Sequence, residues 1–100
     1  MTLRGRRLRE RLAADEPDLL FADGFDDAII GVVDRVGQEA FVIYDARRCI
    51  EILMRDNRDM TRANAEEHFS FNVEDSWVGE RTPAFLWLSD DDDDDTEDDE

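Results

Sequence analysis

Ala28-Ile29-Ile30-Gly31-Val32-Val33, followed after a polar interval by Phe41-Val42-Ile43-Tyr44, is the stretch whose reading decides the fold. Two readings compete for its first half. Phe25, Ile29, Val33 and Val36 recur at helical spacing, and Gly37 would serve as a C-cap. Against that, Gly31 lies in the interior among Ile29, Ile30, Val32 and Val33. Glycine and β-branched side chains both penalise a helix, and the latter suit a pleated backbone. The segment is therefore assigned to a strand and Phe41–Tyr44 to a second. Gly37-Gln38 supplies the turn between them, and the pair reads as an antiparallel hairpin.

Working outward, residues 2–14 read as a short arginine-rich helix carrying Leu3, Leu8 and Leu12, broken at Asp15-Glu16-Pro17. Leu19-Leu20-Phe21 forms a small apolar cluster that ends at Asp23-Gly24. Beyond the hairpin, Asp45 stands where an N-cap belongs, ahead of a helix over residues 46–55. Cys49, Ile50, Leu53 and Met54 share one face of it. Asp56-Asn57-Arg58-Asp59 is a polar turn, and Thr61 is the cap of a further helix. Along that helix Ala65, Phe69, Val73 and Trp77 make a four-residue stripe, stopped by Gly79. Pro83 opens a last strand over residues 84–88. The expected fold is α+β: a small three-stranded antiparallel sheet with two helices packed on one face, plus a short N-terminal helix. Residues 1–16 form the arginine-rich head, 17–89 the α+β domain and 90–100 an acidic tail expected to be disordered.

The charge is unevenly distributed. The chain has 100 residues and a formal net charge of −16, and all twelve of its basic residues are arginine. Residues 90–100 hold ten carboxylates, whereas the first twelve residues carry +4. Such an acid excess opposes non-specific attraction to DNA or anionic lipid. Molar salt screens its self-repulsion, with a Debye length of about 3 Å. Acid-rich, lysine-free composition suits a salt-loaded cytoplasm, and a G+C-rich genome alone would also replace lysine with arginine. Cys49 is the only cysteine, which rules out an intrachain disulfide and points to a reducing, cytoplasmic setting. No apolar run approaches the roughly 20 residues of a membrane span, and the basic start lacks the apolar region of a secretory signal.

From Phe25 onward the chain resembles a family of small accessory proteins encoded by tailed viruses and proviruses of bacteria and archaea. The resemblance rests on Phe25-Asp26-Asp27-Ala28-Ile29-Ile30-Gly31, Tyr44-Asp45 and Cys49-Ile50-Glu51-Ile52-Leu53-Met54. It continues through Met60-Thr61, Phe69-Ser70-Phe71-Asn72-Val73, Val78-Gly79-Glu80 and Thr82-Pro83. It implies an accessory role and carries no catalytic residue with it. The arginine-rich head and the acidic tail depart from the pattern, so neither takes a role from the family.

Several residue groups invite a chemical reading. His68 and Asn72, four apart, would share a helix face and with Glu67 or Asp75 hold a metal. A single histidine without cysteines supports that poorly. Asn72, between Phe71 and Val73, is better read as a buried structural amide bonded to the end of the last strand. Asp26 and Asp27 before the first strand, with Asp34 after it, suggest a divalent-cation or acid–base site, but no lysine or phosphate loop accompanies them. Cys49 reads as a small core residue rather than a nucleophile. The five head arginines, Arg4, Arg6, Arg7, Arg9 and Arg11, with Arg6 and Arg7 foremost, would grip phosphates, or stand on a solvated helix held transiently by the tail. Trp77, Trp87 and Phe85 would make an aromatic contact patch, with Trp87 the one expected at the surface.

The expectation that results is a non-enzymatic accessory protein of the virus or provirus type, binding a host or viral protein and needing no cofactor. An acidic nucleic-acid mimic, a metal-dependent hydrolase, and DNA binding by the arginine head are the competing readings.

Overall fold

The computed structural model describes residues 2–74 and 79–89. Trp77, Asp75 and the acidic tail lie outside the described residues.

Helix α1 spans Leu3–Asp15, with Thr2 as its N-cap, the hydroxyl accepting from the Gly5 amide at 3.1 Å. Its end falls at Glu16, directly before Pro17. A single 3-10 turn, Asp26–Ala28, then leads into strand β1, Ile29–Val33. The β-branched run is thus extended, and the helical spacing of Phe25, Ile29 and Val33 carries no helix. Strand β2, Phe41–Asp45, pairs with β1 antiparallel, Tyr44 opposite Ile29 and Phe41 opposite Val33, with a bulge between Ile29 and Gly31. Gly37, at φ 78°, occupies the left-handed region that the connecting turn requires.

Asp45 caps helix α2, Ala46–Asp56, its carboxylate accepting from the Arg48 amide at 3.2 Å. Cys49, Ile50 and Leu53 are buried as their spacing requires, joined by Ala46 and Ile52. Thr61 caps helix α3, Arg62–His68, accepting from the Asn64 amide at 3.1 Å. The sequence pattern implied one continuous helix to Trp77. Instead the backbone widens into a π-helical segment over Phe69–Glu74. A strict four-residue stripe drifts by about 40° per step on an α-helix, and a wider turn takes that drift back. Phe69 is accordingly fully buried and Val73 half-buried.

The last strand, β3, covers Ala84–Leu86, shorter than the expected 84–88. It pairs with β2 in parallel, Ile43 beside Ala84, Tyr44 beside Phe85 and Asp45 beside Leu86. The three-stranded sheet, in the order β1-β2-β3, is therefore mixed rather than antiparallel. The connection explains the correction. Only a tight hairpin forces antiparallel neighbours, whereas residues 46–83 carry two helices between β2 and β3. That length of chain returns to the starting end of the sheet and re-enters in the same direction.

Among the described residues three α-helices accompany this sheet, and the fold is α+β. Val42 and Tyr44 of β2 join Cys49, Ile50, Ile52 and Phe69 as the largest fully buried side chains. Phe85 meets Tyr44 at 5.6 Å between ring centroids and Phe69 edge-on at 5.0 Å. Such aromatic pairs add about 0.5–1.5 kcal/mol beyond their buried area. The Tyr44 hydroxyl accepts from the Ala22 amide at 2.7 Å, tying the residues after α1 to the sheet. Arg81 does the same from the other side. Its guanidinium donates to the Ala40 carbonyl at 3.1 Å and pairs with Glu39 at 2.6 Å and Glu16 at 3.4 Å. Among the described residues no helix is long and apolar enough to cross a membrane.

Candidate functional site

Asp26 and Asp27, the strand-end acids, sit on the 3-10 turn between α1 and α2. Asp26 is 2% exposed and accepts from Arg9 Nη1 at 3.1 Å. Arg9 spans further: its Nη2 donates to Asp23 at 3.1 Å, and its guanidinium lies 4.8 Å from the centre of the Phe21 ring. The carboxylate of Asp27 accepts from the Thr2 amide at 2.9 and 3.0 Å and from the Thr2 hydroxyl at 2.6 Å. Arg55 Nη1, at the end of α2, donates to it at 3.1 Å. Burial pushes the Asp27 carboxyl upward, but the Thr2 and Arg55 hydrogen bonds outweigh that and hold it at about 2. Each acid is thus committed to an arginine from a different helix, and the pair clasps α1 and α2 to the head of β1. Asp34 follows the far end of β1, about 17 Å along the strand, so it does not join them. Among the described residues no group of three or more His, Cys, Asp or Glu side chains is placed to hold a metal ion.

The other chemical candidates are dispersed. His68 and Asn72 are both exposed, and the Asn72 amide nitrogen lies 3.3 Å from His68 Nδ1. Asn72 is therefore not a buried amide: the wide π turn directs Phe69 and Val73 inward and leaves Asn72 on the outer side. Cys49 is fully buried, and burial, reinforced by the negative charge of Asp45, raises its thiol to about 12. A thiol so placed stays protonated and is no nucleophile. Tyr44 is likewise raised to about 12, first by burial.

Arg6 and Arg7 stand exposed on α1, with Arg4 and Arg11. Of the aromatic patch, Phe85 is half-buried in the core cluster rather than part of a surface. Trp87 is half-exposed, with its ring edge-on to Phe69 at 5.9 Å. On either side of it Leu86 and Leu88 are exposed at 37% and 45%, which makes three successive large apolar residues open to solvent. A half-open cleft of about 280 Å³ lies on the Phe85 side of β3, walled by Phe21, Phe25, Val73, Pro83 and Phe85. The sequence marked Arg9 only as one of five head arginines suited to phosphate, not as the partner of Asp26, and it did not single out Thr2, Gly5 or Arg55. The adjacent acids at 26 and 27 were the available signal, since buried carboxylates require cations and the chain has arginine but no lysine to supply them.

Comparison of the chain with protein-family models, with curated proteins and with solved structures finds no match.

Proposed function

We propose that this chain is a non-enzymatic accessory module that acts by protein–protein contact. The observation that carries the reading is the exposed run Leu86-Trp87-Leu88, which begins on β3 and continues just past its end. Three consecutive apolar residues in water are unfavourable unless something covers them part of the time, and tryptophan is the residue type most enriched at binding hot spots. The run continues onto a sheet face. Val33, Phe41, Ile43, Ala84 and Leu86 share the side opposite Val42, Tyr44 and Phe85, and all are at most half-buried. In this reading the helices gather on the Val42–Tyr44 side, and the opposite face, bordered by Trp87, receives the partner. The groups that would serve catalysis support it by being occupied otherwise: Cys49 in the core, Asp26 and Asp27 in the arginine clasp. The resemblance to accessory proteins of tailed viruses and proviruses agrees with a partner from host or virus.

A photo-crosslinking residue placed at Leu88 tests this in the cells that express the chain. The expected outcome is one discrete adduct from position 88, absent from position 36, where Val36 is 99% exposed but stands apart in the hairpin turn. The adduct is lost in Trp87→Ser with an unchanged circular dichroism spectrum. Equal adduct patterns from the two positions would overturn the reading.

A further inference from the structure

The half-open cleft of about 280 Å³ on the Phe85 side of β3 has walls that the fold has already set. Three phenyl rings, those of Phe21, Phe25 and Phe85, line it together with Val73 and Pro83. Among the described residues its polar side chains are Asp23, Asn72 and Thr82, so most of the wall offers no hydrogen bond. The Tyr44 hydroxyl accepts from the Ala22 amide at 2.7 Å, which fixes the backbone between Phe21 and Asp23. Phe85 is held by the rings of Tyr44 at 5.6 Å and Phe69 at 5.0 Å. A cleft so prepared costs little ordering when a ligand enters.

The charge beside the cleft is negative. Arg9 Nη2 lies 3.1 Å from Asp23 and Nη1 lies 3.1 Å from Asp26, so one guanidinium answers two carboxylates and leaves a net charge of −1. The Asp23 side chain is 91% exposed and stands at the rim. Across the chain the net charge of −16 draws cations and repels anions. The fold already sets one cation on a ring of this wall, the Arg9 guanidinium 4.8 Å from the centre of Phe21. Phenyl faces are negative and attract a cation, but they give its N–H groups no strong acceptor. A primary ammonium would leave donors unpaired against Phe25 and Phe85. A quaternary ammonium has no N–H, and its methyl groups carry the charge on an apolar surface that suits the rings.

We propose that the Phe21–Phe25–Phe85 cleft binds a small quaternary ammonium compound, its methylated cation against the rings and its charge facing Asp23 at the rim. The cleft falls at the small end of ligand sites, which run upward from about 300 Å³. It therefore takes a free solute of choline size rather than a long ligand. Each ring contact with such a cation is a factor of about 2–5 in affinity.

Choline chloride titrated into the full chain at constant ionic strength, with backbone amide shifts as the readout, tests this. The expected result is a saturable shift confined to residues 21–25, 72–73 and 82–85, with a Kd on the order of millimolar. The uncharged isostere, in which a tert-butyl group replaces the trimethylammonium, is expected to bind about fivefold more weakly. Asp23→Asn and Phe21→Leu are each expected to weaken choline about threefold and to leave the isostere unchanged. Asp23→Asn alters an exposed side chain and keeps the test decisive if Phe21→Leu does not fold. Isostere binding as tight as that of choline would overturn the proposal, as would shifts that never saturate or that spread over the other acidic surfaces. So would an affinity for choline unchanged in Asp23→Asn. A trimethyl-lysine peptide that bound more than about tenfold tighter than choline would place the cation on a partner protein and overturn the free-solute assignment.

Discussion

Gly5 lies against the carboxylate of Asp27 and the carbonyl of Asp26 with no room between them for a side chain. A Cβ at position 5 would overlap Asp27 Oδ1 and come within 3.0 Å of the Asp26 carbonyl carbon and oxygen. The carboxylate is not free to swing aside, because Thr2 and Arg55 hold it. Gly5→Ala therefore sets two effects against each other. Helix propensity favours alanine by up to about 1 kcal/mol, and the collision opposes it by about 1–3 kcal/mol. The expected outcome is net destabilisation, read as a lower urea midpoint. A control, Arg7→Ala on the exposed side, stays within about 0.5 kcal/mol of the parent. A Gly5→Ala chain more stable than the parent would mean that α1 does not seat on this turn.

The same contact makes stability depend on acid. Asp27 titrates at about 2 in the folded chain against an ordinary value of 3.8, so its charged form is the one that folding favours. A carboxyl lowered in this way contributes fully above its unfolded value and loses that contribution as pH falls through the folded value. The window is therefore about pH 4 down to about pH 2, with a loss of no more than about 2 kcal/mol. Unfolding free energies measured across that window are expected to fall less steeply in Asp27→Asn, which has nothing to titrate there. A parallel decline in the two chains would exclude Asp27 as the source.

Tyr44 provides a neutral counterpart. Its hydroxyl accepts from the Ala22 amide at 2.7 Å while the ring is fully buried. Tyr44→Phe keeps the packing but leaves the Ala22 N–H without that acceptor, at an expected cost of about 1–2 kcal/mol. A lower denaturant midpoint at unchanged slope, with faster hydrogen exchange at Ala22, is the expected signature. Unchanged exchange at Ala22 would show that the hydrogen bond contributes nothing to holding residues 16–25 in place.

How much of this was legible in the sequence differs from element to element. The strands were legible because Ile29, Ile30, Val32 and Val33 crowd one another, a local cause with a local effect. The caps at Asp45 and Thr61 were legible for the same reason. The direction of β3 was not, since it depends on how residues 46–83 return across the sheet rather than on any property of Ala84–Leu86. The widened turn at Phe69 also escaped, although the strict four-residue stripe held a trace of it. The clasp was half-legible. Asp26 and Asp27 stood out as chemistry-bearing acids, but their partners lie at sequence separations of 17 to 28 residues. Among twelve arginines nothing local marks Arg9 and Arg55 as the two that answer them.

Cys49 offers the sharpest test of the core. The side chain lies on α2, fully buried in the core cluster, and its thiol is raised to about 12, chiefly by loss of water. The thiolate is the reactive form, so both the missing solvent and the missing charge protect it. Cys49 is expected to resist a disulfide-exchange reagent at pH 8 in native buffer and to react within seconds once the chain is unfolded in urea. At intermediate denaturant the labelling rate follows the population of the opened state. Cys49→Ser places a hydroxyl in the same site and is expected to destabilise by about 1–3 kcal/mol, whereas Cys49→Ala removes only the sulfur and leaves a small void. Prompt labelling in native buffer, or a serine variant as stable as the parent, would mean that this face of α2 is not packed into the core.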